Sequence, residues 1–161
     1  MKSVKIAAIA GLLVLAAGVL AAGAWPKFKG QWFDIKYPPG FKAVGRDKNS
    51  TGKYDGVSFL APNKTVEFYV HSPRFQGDSW WMTKRKGETL GGQSTEDGAK
   101  YTIKYGTYTG PKGKYRRDYT DITIKADGSR HVFGFRYNSQ TYDKYKPKYV
   151  TFKSSLVQYA D

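Results

Sequence analysis

Two histidines, His71 and His131, are the residues of this chain best suited to acid–base or metal chemistry. Each lies in a segment patterned as a strand. No His-x-x-His or His-Glu-x-x-His spacing occurs, so the sequence gives no support to a zinc site built on one element. One histidine with carboxylates stays open as a site, and an imidazole bonded within the sheet is the plainer alternative. Ser58, Ser72 and Ser79 stand in ordinary strand or turn contexts, without the Gly-x-Ser-x-Gly elbow of a nucleophilic hydrolase. Asp118 and Asp121 are three apart on one predicted strand and so point to opposite faces, and Glu96 and Asp97 fall in a predicted loop. Neither pair suits glycosidase chemistry. The stretch GRDKNSTGK (Gly45–Lys53) has the wrong glycine spacing for a phosphate loop, and Tyr54 follows Lys53 where Ser or Thr is needed. With no cysteine, thiol nucleophiles, disulfides and thiolate metal sites are all excluded.

What the sequence does carry is positive charge. The 161 residues hold 27 Lys+Arg against 13 Asp+Glu, a formal net charge of +14. Three clusters stand out: Lys84, Arg85 and Lys86; Lys112, Lys114, Arg116 and Arg117; Lys144, Lys146 and Lys148. Trp80, Trp81, Tyr115, Tyr119, Tyr145 and Tyr149 are interleaved with them. A field of this size attracts polyanions and speeds encounter. Outside the cytoplasm the polyanions are anionic lipid head groups, acidic glycans or an acidic protein. Nucleic acid would be held through phosphate contacts alone, without specificity. A generic solvated basic surface is the competing reading, since lysine at sheet edges also blocks aggregation.

Something must position these cations. Gln31–Tyr37 alternates, with Phe33, Ile35 and Tyr37 on one face, and Pro38, Pro39 and Gly40 stop it. Phe41–Val44 reads as a short strand or turn. Val57–Leu60 and Thr65–His71 form a hairpin about Pro62–Lys64, with Val66, Phe68 and Val70 inward. Thr83–Leu90 is expected as a strand and Gly91–Ser94 as a loop. Lys100–Tyr108, Tyr115–Lys125 and His131–Tyr137 follow, joined by turns at Gly110–Gly113 and Asp127–Gly128. Near the end the period changes. Tyr149, Phe152, Leu156 and Tyr159 mark an amphipathic helix starting near Tyr145, with Pro147 in its first turn. The expected fold class is α+β: an antiparallel sheet of six or seven strands with this C-terminal helix on one face.

The first 24 residues read as an export signal: Lys2 and Lys5, an apolar run from Ile6 to Leu20, then Ala22, Gly23 and Ala24. Cleavage is expected after Ala24. An uncleaved anchor is the alternative, because Ile6–Ala24 nears spanning length. Without an Arg-Arg pair the Sec route is expected, to the periplasm or the exterior. Residues 25–161 then form one domain. Those 137 residues keep a formal net charge of +12 and all 26 aromatics, yet contain three leucines, Leu60, Leu90 and Leu156. The core must be built from Phe, Tyr, Trp, Val and Ile, the residues that fit a pleated sheet.

Four segments carry a family resemblance: Phe33–Pro38 followed by Gly40 and Phe41; Asp55–Phe59; Val66–Pro73; and Tyr149–Leu156. Their order resembles the PsbP-like pattern, in which an opening strand ends in Tyr-Pro, a Val-rich strand ends in Ser-Pro and a helix closes the chain. Here Phe152 precedes Ser154 and Ser155, where the family closes with Ser-Phe. The resemblance implies an α-β-α sandwich around an antiparallel sheet, flanked by helices. It implies an accessory or binding protein, like the photosystem II extrinsic subunits and the Ran-binding import factor of this fold.

The expected function is therefore an exported, non-enzymatic binding protein without cofactor. It docks through a basic, aromatic-rich face on an anionic envelope component or acidic protein, with peripheral membrane contact as one form. The candidate docking residues are Trp80, Trp81, Lys84, Arg85, Lys86, Lys114, Arg116, Arg117, Lys144, Lys146 and Lys148. A small secreted hydrolase using His71 or His131, and a metal-sensitive accessory factor, are the alternatives.

Overall fold

The computed structural model describes residues 23–71, 79–96, 100–123 and 130–159. The expected leader up to residue 22, the Ser72–Pro73 stop and the Asp127–Gly128 turn lie outside them. The strands are β1 (Lys27–Lys29), β2 (Phe33–Lys36), β3 (Lys42–Gly45), β4 (Gly56–Leu60), β5 (Glu67–His71), β6 (Leu90–Glu96), β7 (Lys100–Tyr105), β8 (Tyr108–Gly110), β9 (Gly113–Thr123), β10 (Arg130–Tyr137) and β11 (Val157–Gln158). Helix α1 spans Tyr142–Ser154. The main sheet is antiparallel in the order β3-β4-β5-β10-β9-β7-β6, with β8 added against the start of β9. A small second sheet has the order β1-β2-β11. This is the expected α+β architecture with its C-terminal helix.

Phe68 of β5 shows why α1 packs where it does. In register, Phe68 stands opposite Phe59 on β4 and Phe135 on β10. All three rings are buried. Phe68 lies 5.2 Å from Tyr149 and 5.3 Å from Phe152, both on α1. Spacing of three puts those two residues on one side of the helix, so they meet the sheet together. Burying each such ring stabilises the fold by about 1.5–3 kcal/mol.

Alternation leaves the opposite face of β5 polar: Glu67, Tyr69 and His71. That face is buried too. Its cover is a 3-10 turn at Trp80–Met82, whose Trp81 stacks on Tyr69 at 5.3 Å. Tyr69, Trp81, Tyr119 and Val132 make a second buried cluster there.

Several boundaries differ from the sequence expectations. Thr83–Thr89 is not a strand, and β6 runs from Leu90 through the glycines expected as a loop. Its backbone pairs with β7 whatever its side chains, with a register shift between Leu90 and Gly92. Helix α1 begins three residues early, so Pro147 lies inside it and not in the first turn. Tyr142 draws the first turn onto the sheet through Tyr137, at 4.7 Å, and Phe135. The helix also ends before Tyr159. The Ser155 hydroxyl accepts from the Lys36 amide at 2.9 Å, and Val157–Gln158 turn back to pair with β2.

Candidate functional site

Register decides which side chains can meet. On the face away from α1, β4 presents Ser58 and Leu60, β5 presents Glu67 and Tyr69, β10 presents Gly134 and Arg136, and β9 presents Tyr115 and Arg117. The segment from Ser79 to Glu88 lies across them and is pinned at two points.

The first pin is Asp47. One carboxylate oxygen accepts the Trp80 amide at 2.8 Å, and the other accepts the Tyr69 hydroxyl at 2.7 Å. Tyr69 and Ser79 also share a 2.6 Å hydroxyl bond. Burial, and then the Asp47 charge, push the Tyr69 hydroxyl far above its ordinary value. Tyr69 therefore stays protonated and donates.

The second pin is Arg117, fully buried. Its Nε and Nη2 donate to the two oxygens of buried Glu88 at 2.8 and 2.7 Å. It also donates to the carbonyls of Trp81 and Thr83. One guanidinium thus uses its planar fork on a carboxylate and its remaining donors on the covering loop.

Beside these pins opens a cleft of about 290 Å³. Among the described residues five cations line it, Arg46, Lys64, Arg85, Lys112 and Arg136, against one carboxylate, Glu67. Arg46 and Arg85 both lie 4.1 Å from the Trp80 ring, and Arg136 lies 5.0 Å from Tyr115. The rings hold the guanidinium groups in place, and part of their donors is used within the protein: Arg46 Nε donates to the Ser58 hydroxyl at 3.0 Å and Arg136 Nη2 to the Lys64 carbonyl at 2.8 Å. Glu67 is shared, 3.5 Å from Arg46 and 3.4 Å from Arg136. Arg85 has no acid among the described residues as an ion-pair partner. It donates to the carbonyls of Trp80 and Thr83, and its Nη2 is buried with no hydrogen bond among the described residues. Burial, then the neighbouring Arg117 charge, lower its pKa, though a guanidinium stays charged at any working pH.

The docking residues expected from sequence are dispersed by this fold. Trp80 and Arg85 enter the cleft. Trp81 and Arg117 are buried and hold the structure together, so neither is offered to a partner, because strand alternation sends Arg117 inward. Lys84 and Lys86 are exposed on the loop beyond the turn. Arg116 and Lys146 line a different groove, of about 530 Å³, between β9 and α1, where Asp118 and Asp143 offset their charge. Lys114 is exposed on β9. Lys144 and Lys148 flank the Tyr145 ring at 5.5 and 5.3 Å on α1. The three sequence clusters do not merge into one face. Arg46, Lys64 and Arg136 come from separate segments and were not among the candidates. Lys64 sits in a left-handed turn at φ 59°, which the Pro62–Lys64 break does signal.

The histidines share no site. His71 is buried on the Tyr69 side of the sheet, while His131 lies on the Phe133 side. Asp118 accepts from Tyr137 and Asp121 pairs with Arg130, so those carboxylates work apart, as their spacing predicts. Among the described residues, no three of His, Asp and Glu gather as a metal site. No helix among them is long and apolar enough to cross a membrane.

No family model and no curated protein matches the chain. Solved structures do. The cyanobacterial PsbP of Synechocystis is similar over 86% of this chain and 96% of its own, at 17% identity and a TM-score of 0.50. The Ran-binding protein Mog1p of Saccharomyces cerevisiae matches 84% of this chain and 96% of its own at 10% identity, TM-score 0.42. LpqN of Mycobacterium tuberculosis, described as involved in cell envelope biogenesis, matches 88% and 95% at 10% identity, TM-score 0.40. The fold of this chain is PsbP-like.

Proposed function

We propose that this chain is an exported accessory protein that docks on an anionic partner of the cell envelope through the cleft around Trp80. It works by binding, without catalysis and without a cofactor. The observation that carries the reading is the imbalance of five cations over one carboxylate in a partly desolvated cleft. Cations stacked on aromatic rings and removed from water are held ready for an anion, which relieves their mutual repulsion. The signal-like first 24 residues and the net charge of +14 support an exported, basic protein meeting polyanions.

Cosedimentation with vesicles containing phosphatidylglycerol tests this at low and high salt. Binding should weaken steeply as salt rises, because surface charges are screened. Replacing Lys64 and Lys112 together by glutamate should abolish it, while the same change at Lys144 and Lys148 on α1 should leave most of it. Salt-insensitive binding, or loss through the helix pair alone, overturns the reading.

A further inference from the structure

We propose that the cleft is a site for a single phosphate monoester group, gripped by the guanidinium groups of Arg46, Arg85 and Arg136 with Lys112 at its rim. This rests on the docking reading and gives it a chemical class.

Geometry argues for phosphate over carboxylate. A carboxylate has two oxygens in one plane, and one arginine fork satisfies them. Glu88 shows this inside the same molecule: the single fork of Arg117 reaches both of its oxygens, and the one further donor among the described residues is a backbone amide, that of Arg85 at 2.8 Å. The cleft instead brings together three guanidinium groups from separate segments: the end of β3, the loop after the 3-10 turn, and β10. Tetrahedral phosphate presents three free oxygens in different directions, and those suit several forks at once.

Charge points the same way. Glu67 is the one acid of the cleft among the described residues, and its two oxygens are divided between Arg46 and Arg136 at 3.5 and 3.4 Å, beyond good hydrogen-bond length. Arg85 keeps a buried Nη2 with no hydrogen bond among the described residues. Lys64 and Lys112 add further charge at the rim. A monoester close to dianionic at neutral pH neutralises more of this excess than a carboxylate or sulfate ester carrying one charge.

Size limits what else enters. About 290 Å³ lies at the low end of ligand sites, enough for a phosphate and a few attached atoms. Leu60, Tyr108 and Pro111 give the apolar side of the lining, against which a short glycerol or sugar stem packs. The bulk of a larger ligand must stay outside.

Titration calorimetry with glycerol 3-phosphate on the exported form of the chain is the direct test. Saturable binding is expected, tighter than for glucuronate or a sulfate ester by about tenfold or more. Arg85→Ala should weaken it by about tenfold and Arg85→Lys should restore part of it, because lysine returns the charge without the fork. Lys112→Glu, a rim change that leaves the buried layer intact, should weaken it too, with an unchanged circular dichroism spectrum. Vesicles of phosphatidic acid distinguish the source of the phosphate. Binding to them that glycerol 3-phosphate competes away supports the site and assigns it a lipid head group. Saturable glycerol 3-phosphate binding with no vesicle association supports the site, assigns it a soluble ester, and overturns membrane docking instead. Equal affinity for glucuronate overturns the phosphate site and leaves the broader docking reading standing, whereas vesicle binding unchanged in both Arg85→Ala and Lys112→Glu overturns the phosphate site and docking through this cleft together.

Discussion

Trp81 occupies the space that a side chain at Gly134 would need: a Cβ placed there would lie 2.1 Å from the indole. The glycine in the middle of β10 is therefore what lets the covering turn lie flat on the sheet. Gly134→Ala is expected to cost about 1–3 kcal/mol through forced displacement of the ring. Trp81→Ala should cost about 3–5 kcal/mol by leaving a cavity. Urea denaturation of both variants checks this. A neutral Gly134→Ala would mean that the turn does not rest on β10.

The buried pair of Arg117 and Glu88 should behave as one unit. Removing either partner strands a charge in the interior, so Glu88→Ala or Arg117→Ala is expected to lose about 3–5 kcal/mol. Replacing both, with Arg117→Met and Glu88→Leu, should lose much less than the sum. A double-mutant cycle measures the coupling, and additive losses would contradict it.

Tyr69 ties stability to the cleft. Tyr69→Phe removes the hydroxyl that bonds Asp47 and Ser79, with an expected loss of about 1–3 kcal/mol. Asp47 also holds the Trp80 amide, so the ring that orders Arg46 and Arg85 should loosen. Binding to anionic vesicles should fall in this variant although no cleft residue has changed. Full retention of binding would show that the latch does not organise the cleft.

Acid should loosen the small sheet first. Asp34 of β2 accepts from Lys27 and Tyr159, and these hold its carboxyl below its ordinary value of 3.8. A lowered folded value means that this contribution is complete above about pH 4 and disappears as pH falls through the folded value. Asp34→Asn has no such titration. Its thermal midpoint, followed from about pH 2 to pH 7, should therefore show a flatter acid limb than the unaltered chain. Parallel curves would remove Asp34 as the acid-sensitive group.

The triplets Asn49–Thr51 and Asn63–Thr65 have a structural role in turns. Asn49 Oδ1 accepts from the Thr51 amide and hydroxyl, and Asn63 Oδ1 does the same for Thr65. Such side-chain turns are a property of local sequence. They explain why the hairpin around Pro62–Lys64 was legible from composition alone.

Local sequence determined the strand alternation of Phe33 and Ile35, of Phe68 and Val70, and of Phe133 and Phe135, because a pleated strand has period two wherever it lies. It also determined the helix, through Tyr149 and Phe152, and the excess of positive charge. The location of that charge belonged to the tertiary structure. Arg117 looked like part of a surface cluster until β9 turned it inward onto Glu88, some thirty residues away. Arg46, Lys64, Arg85, Lys112 and Arg136 come from separate segments, and strand pairing brings them to one cleft. Neighbours in sequence share a strand but not a face, while neighbours across a sheet share a face but not a segment. For that reason composition foretold a basic protein, and sheet register chose which cations meet.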